Sequence, residues 1–133
     1  MKGWIVDKSV ASRFAIPEVA TQLLEADGPL FLCEVGLLEQ LYSSKSARDY
    51  DRLATVLRGS FEVLSAPPDM LPAALALQRD LAHHRGLWHR RPIPDLLITL
   101  TALHHDVGIV HADNDFELIA QVRPVRSWKL IVP

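Results

Sequence analysis

The chain has 133 residues and a formal net charge of −2, and 49% of its residues are hydrophobic while 23% are charged. This length and composition predict one globular domain over residues 1–133 and exclude a disordered chain. No apolar run approaches the ~20 residues of a membrane span, and the overall charge lacks the basic excess typical of nucleic-acid binders.

The first half of the chain mixes a strand pattern with helical patterns. Residues 3–6 are a β-rich apolar run that ends at Asp7, which predicts a buried first strand. Ser9 is then expected to cap a short helix that ends before Pro17. The next predictions are a helix over 18–26, a segment over 30–42 that starts extended and continues as a helix, and a helix over 47–57 that stops near Gly59.

The second half continues the alternation. It predicts a strand over 61–64, a helix over 71–83, a basic loop over 86–94, a helix over 95–105, a strand over 107–110, a short helix to about Val122 and a final strand over 128–132. Pro94 suits the first turn of its helix. Asn114 to Glu117 is typical of a capping box that starts the short helix. Strands separated by helices indicate a parallel sheet with helices on both faces, an α/β fold.

Acidic residues recur where these elements change over. Asp7 follows the first strand, and Asp113 and Asp115 follow a later one, where parallel sheets bind their ligands. Local explanations also exist, because Asp7 and Asp115 suit capping positions and Asp95 would interact favourably with a helix dipole. Whether Asp115 is a ligand or a cap stays open at this point.

Glu39 is harder to explain locally, because it lies between Leu38 and Leu41 in an apolar segment. Glu34 competes with it, but five residues on a helix are roughly 140° apart, so one of the two faces a given site. Carboxylates brought together repel one another and are normally held by cations, and Mg²⁺ accepts such oxygen ligands.

Four segments resemble PIN-domain nucleases in their order and spacing, and most closely the VapC-type toxins of bacterial toxin–antitoxin pairs. The segments are 5–10 (IVDKSV), 38–43 (LEQLYS), 92–98 (PIPDLLI) and 111–120 (HADNDFELIA). The resemblance runs nearly end to end, and 92–120 is its most specific part. It implies a three-layer α/β/α fold around a central, mostly parallel sheet of four to five strands.

The resemblance also implies a site and a chemistry. Its acidic site would consist of Asp7, Glu39, Asp95 and Asp113, with Asp115 as a supporting or additional ligand and Ser9 as an accompanying hydroxyl. We expect Mg²⁺, with Mn²⁺ as the alternative, to be held by Asp7 and Asp95, with Asp113 and Asp115 holding a second ion or its waters. Glu39 would position the attacking water. The implied partners are an RNA substrate, a small cognate antitoxin and a second copy of the chain in a homodimer, and no membrane.

A basic segment lies immediately before Asp95. Residues 79–91 contain four arginines against one acid, together with three histidines and a tryptophan. RNA-binding candidates within it are Arg85, His89, Arg90 and Arg91. The histidines lack the spacing of a structural zinc site, and Cys33, the single cysteine, indicates a buried residue in a reducing cytoplasmic protein.

Three other functions compete with the ribonuclease. A receiver-like phosphoacceptor domain would need an acidic pair after the first strand, and a haloacid-dehalogenase-like phosphatase would need an aspartate at position 9, where this chain has Ser9. A catalytically silent PIN scaffold that acts in protein binding is the remaining alternative. The complete set of acids favours the metal-dependent ribonuclease.

Overall fold

The computed structural model describes residues 2–133, which form five strands and seven helices. The strands are β1 (Trp4–Val6), β2 (Leu30–Cys33), β3 (Glu62–Leu64), β4 (Gly108–His111) and β5 (Ser127–Lys129). The helices are α1 (Lys8–Ala11), α2 (Pro17–Leu23), α3 (Glu34–Tyr42), α4 (Ala47–Ser60), α5 (Met70–His84), α6 (Ile93–His105) and α7 (Asp115–Ala120).

The five strands form one all-parallel sheet in the order β3-β2-β1-β4-β5. The central strand is β1, in which Trp4 pairs with Leu30 on one side and with Gly108 on the other. The chain first builds the sheet outward through β2 and β3, and later on the opposite side through β4 and β5. The carboxyl ends of β1 and β4 therefore flank the point where ligands bind in such sheets. The predicted mostly parallel sheet of four to five strands is confirmed.

Side chains alternate between the two faces of the sheet along each strand, so both faces carry apolar residues. Helices cover both faces and bury these residues. Trp4 and Val6 pack on one face in a cluster that draws its helical members from α1 to α4. Ile5 points to the other face and packs against residues of α6 and α7. A further cluster joins α5 to α6 and α7. This is the predicted three-layer arrangement, and each fully buried Leu, Ile or Phe contributes about 1.5–3 kcal/mol to it.

The start of α1 agrees with one of the two caps that the sequence predicts. Asp7, not Ser9, caps this helix: its backbone is extended, and its carboxylate accepts a hydrogen bond from the Ser9 backbone N–H. The helix also ends at Ala11, and turns connect it to Pro17, which opens α2. The first predicted site acid, Asp7, is therefore the helix cap, and the capping hydrogen bond holds its carboxylate beside the end of β1.

The predicted end of α4 near Gly59 is confirmed, since the helix ends one residue later at Ser60, although no glycine among residues 2–133 has a positive φ. One other local prediction is wrong. The capping box at Asn114 does not form, because its side chain accepts a hydrogen bond from Lys129 Nζ at 2.5 Å instead of capping α7. At the start of α7, Asp113 Oδ1 instead accepts a hydrogen bond from the Asp115 backbone N–H at 3.0 Å.

Helix boundaries elsewhere lie within a few residues of the predicted ones, and Pro94 lies in the first turn of α6 as expected. Across residues 2–133, every helix is too short or too polar to cross a lipid bilayer.

Candidate active site

One cavity at the carboxyl ends of β1 and β4 collects all five predicted acids. It has a volume of about 320 Å³ and is lined by Asp7, Lys8, Ser9, Ser12, Glu39, Pro92, Asp95, Asp113 and Asp115. Different elements supply the acids: the end of β1, the middle of α3, the first turn of α6, the loop after β4 and the first residue of α7. Residues that are up to 108 positions apart in the sequence therefore face one space.

Three of these acids converge closely. Asp95, Asp113 and Asp115 each offer a carboxylate oxygen, and these oxygens lie within 4.8 Å of one another. Across residues 2–133 they form the one such group of three or more acidic, histidine or cysteine side chains, and none of its members is a histidine. Asp7 lines the same cavity but stands outside this tight group. That Asp7 and Asp95 are the principal pair of ligands therefore stays a prediction.

Ser9 connects the two strand ends that form the site. Its hydroxyl donates to Asp7 Oδ2 at 2.7 Å and accepts from the Ala112 backbone N–H at 3.0 Å. Asp7 Oδ2 also accepts from the Ser9 backbone N–H at 3.0 Å. These bonds fix the Asp7 carboxylate relative to the loop after β4, which carries Asp113.

Burial and mutual repulsion raise the pKa of Asp95. Its exposed fraction is 7%, and its carboxyl pKa rises to about 8, first because of burial and then because of the charges on Asp7, Asp113, Asp115 and Glu39. A carboxyl group in this state holds its proton near neutral pH until a cation arrives. Ion binding at Asp95 would therefore release a proton.

Glu39 faces the same cavity and Glu34 does not. Burial, followed by the charge on Asp7, raises the pKa of Glu39, and its Oε1 is buried without a hydrogen-bond partner among residues 2–133. Glu34 instead accepts a hydrogen bond from the Ala66 backbone N–H at 2.7 Å. A buried carboxylate oxygen without a partner is costly, so Glu39 has an unused acceptor for a water or a ligand.

The donor set fits a hard divalent cation. All the converging atoms are carboxylate oxygens, which Mg²⁺ and Mn²⁺ prefer as ligands. The carboxylates also repel one another, and a bound cation would reduce this repulsion. His83, His84 and His89 belong to no such cluster in the described part of the chain. The expectation of no zinc site at these histidines rests on their sequence spacing.

The four RNA-binding candidates lie in different surroundings. Arg91 pairs with one acid of the cavity, since its Nη1 lies 2.9 Å from Asp115 Oδ1. Arg90 is exposed, and the Arg85 guanidinium lies 5.6 Å from the centre of the Trp88 ring. His89 is partly buried, and its Nδ1 has no partner among residues 2–133. Arg91 therefore differs from the other three by its contact with the acids.

A buried network beside the site was missed by the sequence analysis. His111 ends β4 and is fully buried, with its Nε2 2.6 Å from Ser127 Oγ. Ser127 Oγ also donates to Glu117 Oε1 at 3.1 Å. Burial lowers the pKa of His111, although the Glu117 charge opposes this, so a neutral imidazole links β4, β5 and α7. The sequence feature that could have indicated this network is His111 itself, a histidine at the end of an apolar strand.

Sequence comparisons agree with this architecture. A sequence model of the PIN domain matches residues 5–122. Ribonuclease VapC17 of Mycobacterium tuberculosis is 49% identical over 127 residues, which cover 93% of this chain and 92% of that protein. Ribonuclease VapC21 of the same organism is 34% identical over 121 residues, which cover 90% and 87%.

The fold is also similar to solved toxin–antitoxin structures. DNA-bound VapBC from Salmonella typhimurium aligns with a TM-score of 0.72 and 14% identity, covering 97% of this chain and 98% of that one. VapBC-5 from Mycobacterium tuberculosis aligns with a TM-score of 0.66 and 19% identity, covering 96% and 98%. At such identities the likeness shows the fold. The family-model match and the identity to VapC17 and VapC21 show more: this chain belongs to the PIN-domain family, among its VapC-type members.

Proposed function

We propose that this protein is the toxin of a type II toxin–antitoxin pair and a divalent-metal-dependent endoribonuclease, built as a single nuclease domain over residues 1–133 that acts in the cytoplasm. The observation that carries the proposal is the convergence of five carboxylates in one cavity at the carboxyl ends of β1 and β4. The name ribonuclease on relatives that are 49% and 34% identical supports the same activity.

We propose a separate role for each acid of the cavity. Asp7 and Asp95 would hold the principal Mg²⁺ or Mn²⁺, and Asp113 would complete the ligand set or hold a second ion or its waters, with Asp115 in a supporting role. Such an ion supplies two things, polarisation of a phosphodiester oxygen and a bound water with a lowered pKa. Asp95 must give up its proton before it can serve as a charged ligand.

Glu39 would position the attacking water. Its Oε1 has no partner among residues 2–133, and burial raises its carboxyl pKa, which makes it a better proton acceptor than an ordinary glutamate. Cys33 is not a nucleophile here, because burial raises the pKa of its thiol to about 11 and its Sγ accepts from the Gly36 backbone N–H.

The proposed RNA substrate would cross the basic segment on its way to the acids. Arg85, His89 and Arg90 would contact backbone phosphates, which basic side chains neutralise without reading sequence. Arg91 would stand nearest the scissile bond, because it already contacts Asp115.

A cognate antitoxin is the second proposed partner. A groove lined by Lys8, Leu38, Glu39, Tyr42 and Pro94 adjoins the acidic cavity and shares Lys8 and Glu39 with it. Leu38 is 67% exposed and Tyr42 88%, so an apolar partner segment would find contact area there. An arginine from that segment would pair with the carboxylates and displace the ion. We also propose that the toxin is a homodimer.

Cleavage of RNA by the purified chain tests the function. We expect cleavage with Mg²⁺ or Mn²⁺, none in EDTA, and none in Asp95→Asn at the same protein concentration. The matched control is Glu34→Gln, which neutralises a carboxylate that points away from the cavity and should cleave normally. Cleavage that persists in EDTA would refute the metal mechanism.

The silent scaffold predicts a different result. It would bind its partner protein but leave RNA intact under every metal condition. Expression separates the two functions in cells: the ribonuclease should arrest growth alone and be tolerated with its antitoxin, whereas harmless expression of a folded, metal-binding chain supports the scaffold.

A further inference from the structure

One cation of the basic segment is part of the acidic site. Arg91 Nη1 lies 2.9 Å from Asp115 Oδ1, and Asp115 belongs to the three acids whose oxygens converge within 4.8 Å. The Arg91 side chain is 23% exposed, and its Nε is buried without a partner among residues 2–133. Its neighbour Arg90 is exposed. The two adjacent arginines therefore have different surroundings.

The contact matters for metal binding. A carboxylate oxygen that accepts a charge-assisted hydrogen bond from a guanidinium is a weaker ligand, because part of its charge is already compensated. The guanidinium also repels a divalent ion placed against the same carboxylate. Lys8 lines the cavity, and Arg91 forms a direct ion pair with one of its acids.

We propose that Arg91 is the resident second cation of this site: it holds Asp115, leaves one divalent ion to the other carboxylates, and offers its remaining N–H groups to a phosphate oxygen of the RNA. This inference rests on the proposed ribonuclease function. In two-ion sites the second ion stabilises charge on the phosphate. A guanidinium performs the same task with directed N–H bonds, and a single one of its donors is used on Asp115.

Counting bound ions tests the proposal without using activity. Titration with Mn²⁺, followed by calorimetry and by the electron paramagnetic resonance signal of free ion, should give one ion in the unmodified protein. Arg91→Gln should bind two, and its affinity for the first should rise about tenfold because a nearby positive charge is gone. Arg90→Gln removes a charge next to it in sequence and should keep one ion with unchanged affinity. An Arg91→Gln protein that behaves like Arg90→Gln would overturn the proposal.

A second pair of variants tests the same proposal even if Arg91→Gln does not fold. Because Asp115 is held by Arg91, Asp115→Asn should keep one Mn²⁺ with an affinity within about threefold of the original, whereas Asp113→Asn should lose over about 100-fold, more than an outer-shell change costs. Equal losses in both variants would make Asp115 a ligand and refute the proposal.

Cleavage then tests the contact with phosphate. Single-turnover cleavage by Arg91→Gln, at a Mn²⁺ concentration that fills only its first ion site, should be about 10²–10³-fold slower, as when one preorganised donor is removed from a transition state. A rate equal to the original would remove Arg91 from substrate binding. If the unmodified protein neither binds Mn²⁺ nor cleaves RNA, the proposed function itself fails. If it does both and Arg91→Gln matches Arg90→Gln, the inference about Arg91 alone fails.

Discussion

The acidic cavity and the basic segment adjoin each other and are built in opposite ways. Asp7 and Asp95 are 5% and 7% exposed, and both lie at the ends of regular elements within a network of hydrogen bonds. The part of the basic segment that follows α5 is a series of turns in which Arg85 and Arg90 are exposed and Leu87 has a φ of 62°. Metal chemistry needs fixed ligand positions, whereas phosphate contacts from a surface loop need charge within reach. Changes in the cavity should therefore be far more damaging than changes in the segment.

The sharpest test of this difference is the removal of a carboxylate from the cavity. Asp7→Ala and Asp113→Ala should each lower RNA cleavage by more than about 100-fold, the upper range seen for partners that merely orient a ligand. Glu39→Gln should also impair turnover severely, because its unpartnered oxygen is the proposed acceptor for the attacking water. The measurement is cleavage rate per folded molecule at saturating Mg²⁺. Glu34→Gln, on the same helix, is the matched control, and an equal loss there would indicate a structural effect.

A second test uses the pH dependence of stability in EDTA. The pKa of Asp95 is raised to about 8 in the fold, above its unfolded value, so the stability that its protonated form provides is complete below about pH 4 and is lost as pH rises towards about pH 8. The loss should be roughly 1 kcal/mol per pH unit over that window. Asp95→Asn should lack this loss. Thermal unfolding of both proteins across the window measures it.

The metal should reverse that loss. At about pH 8, Mg²⁺ should raise the melting temperature of the unmodified protein, because it binds the native state alone, and it should do so much less in Asp95→Asn. Parallel pH curves for the two proteins in EDTA, or equal responses to Mg²⁺, would contradict the assigned role of Asp95.

The sequence was informative about the cavity because its acids follow regular elements. Asp7 and Asp113 were found from the ends of apolar strands, and the helical angle between Glu34 and Glu39 correctly allowed one of them to face the cavity. Asp95 shows why the energetics could not be read in the same way. Its raised pKa depends on burial and on four charges that only the fold brings together.

Side-chain pairing between distant segments was beyond the sequence. Arg91 and Asp115 are 24 positions apart, and nothing in either motif distinguishes Arg91 from Arg90. The capping box at Asn114 failed for a related reason, since Lys129 from β5 takes the side-chain oxygen that a local pattern assigns to the helix. The periodicity of hydrophobic residues predicts helices and strands, whereas the hydrogen-bond partner of a polar side chain depends on which segments the tertiary fold brings together.

A third prediction concerns the serine that joins the two strand ends. Ser9→Ala removes the bonds to Asp7 and to the Ala112 backbone, so cleavage and metal affinity should fall about 10- to 100-fold, as for other outer-shell partners. The free energy of unfolding should fall by about 1–3 kcal/mol, because the Ala112 N–H is left without its acceptor. Ser12→Ala is the control, since Ser12 lines the cavity outside this network. Equal effects of the two changes would contradict the orienting role of Ser9.

The smallest effect is expected at Arg90. Arg90→Ala should weaken RNA binding a few-fold and lower the slope of log affinity against log salt by about 0.7, the value for one contact to a single strand. Its Mn²⁺ affinity should not change, because Arg90 is exposed and makes no ion pair among residues 2–133. Lys2→Ala is the control. Lys2 pairs with Asp106, and both residues lie just before the amino ends of β1 and β4, whereas the cavity lies at the carboxyl ends of these strands. If both variants keep the original salt slope, the RNA does not cross the segment at Arg90. If Arg90→Ala also lowers Mn²⁺ affinity, cavity and segment are electrostatically coupled through more than Arg91.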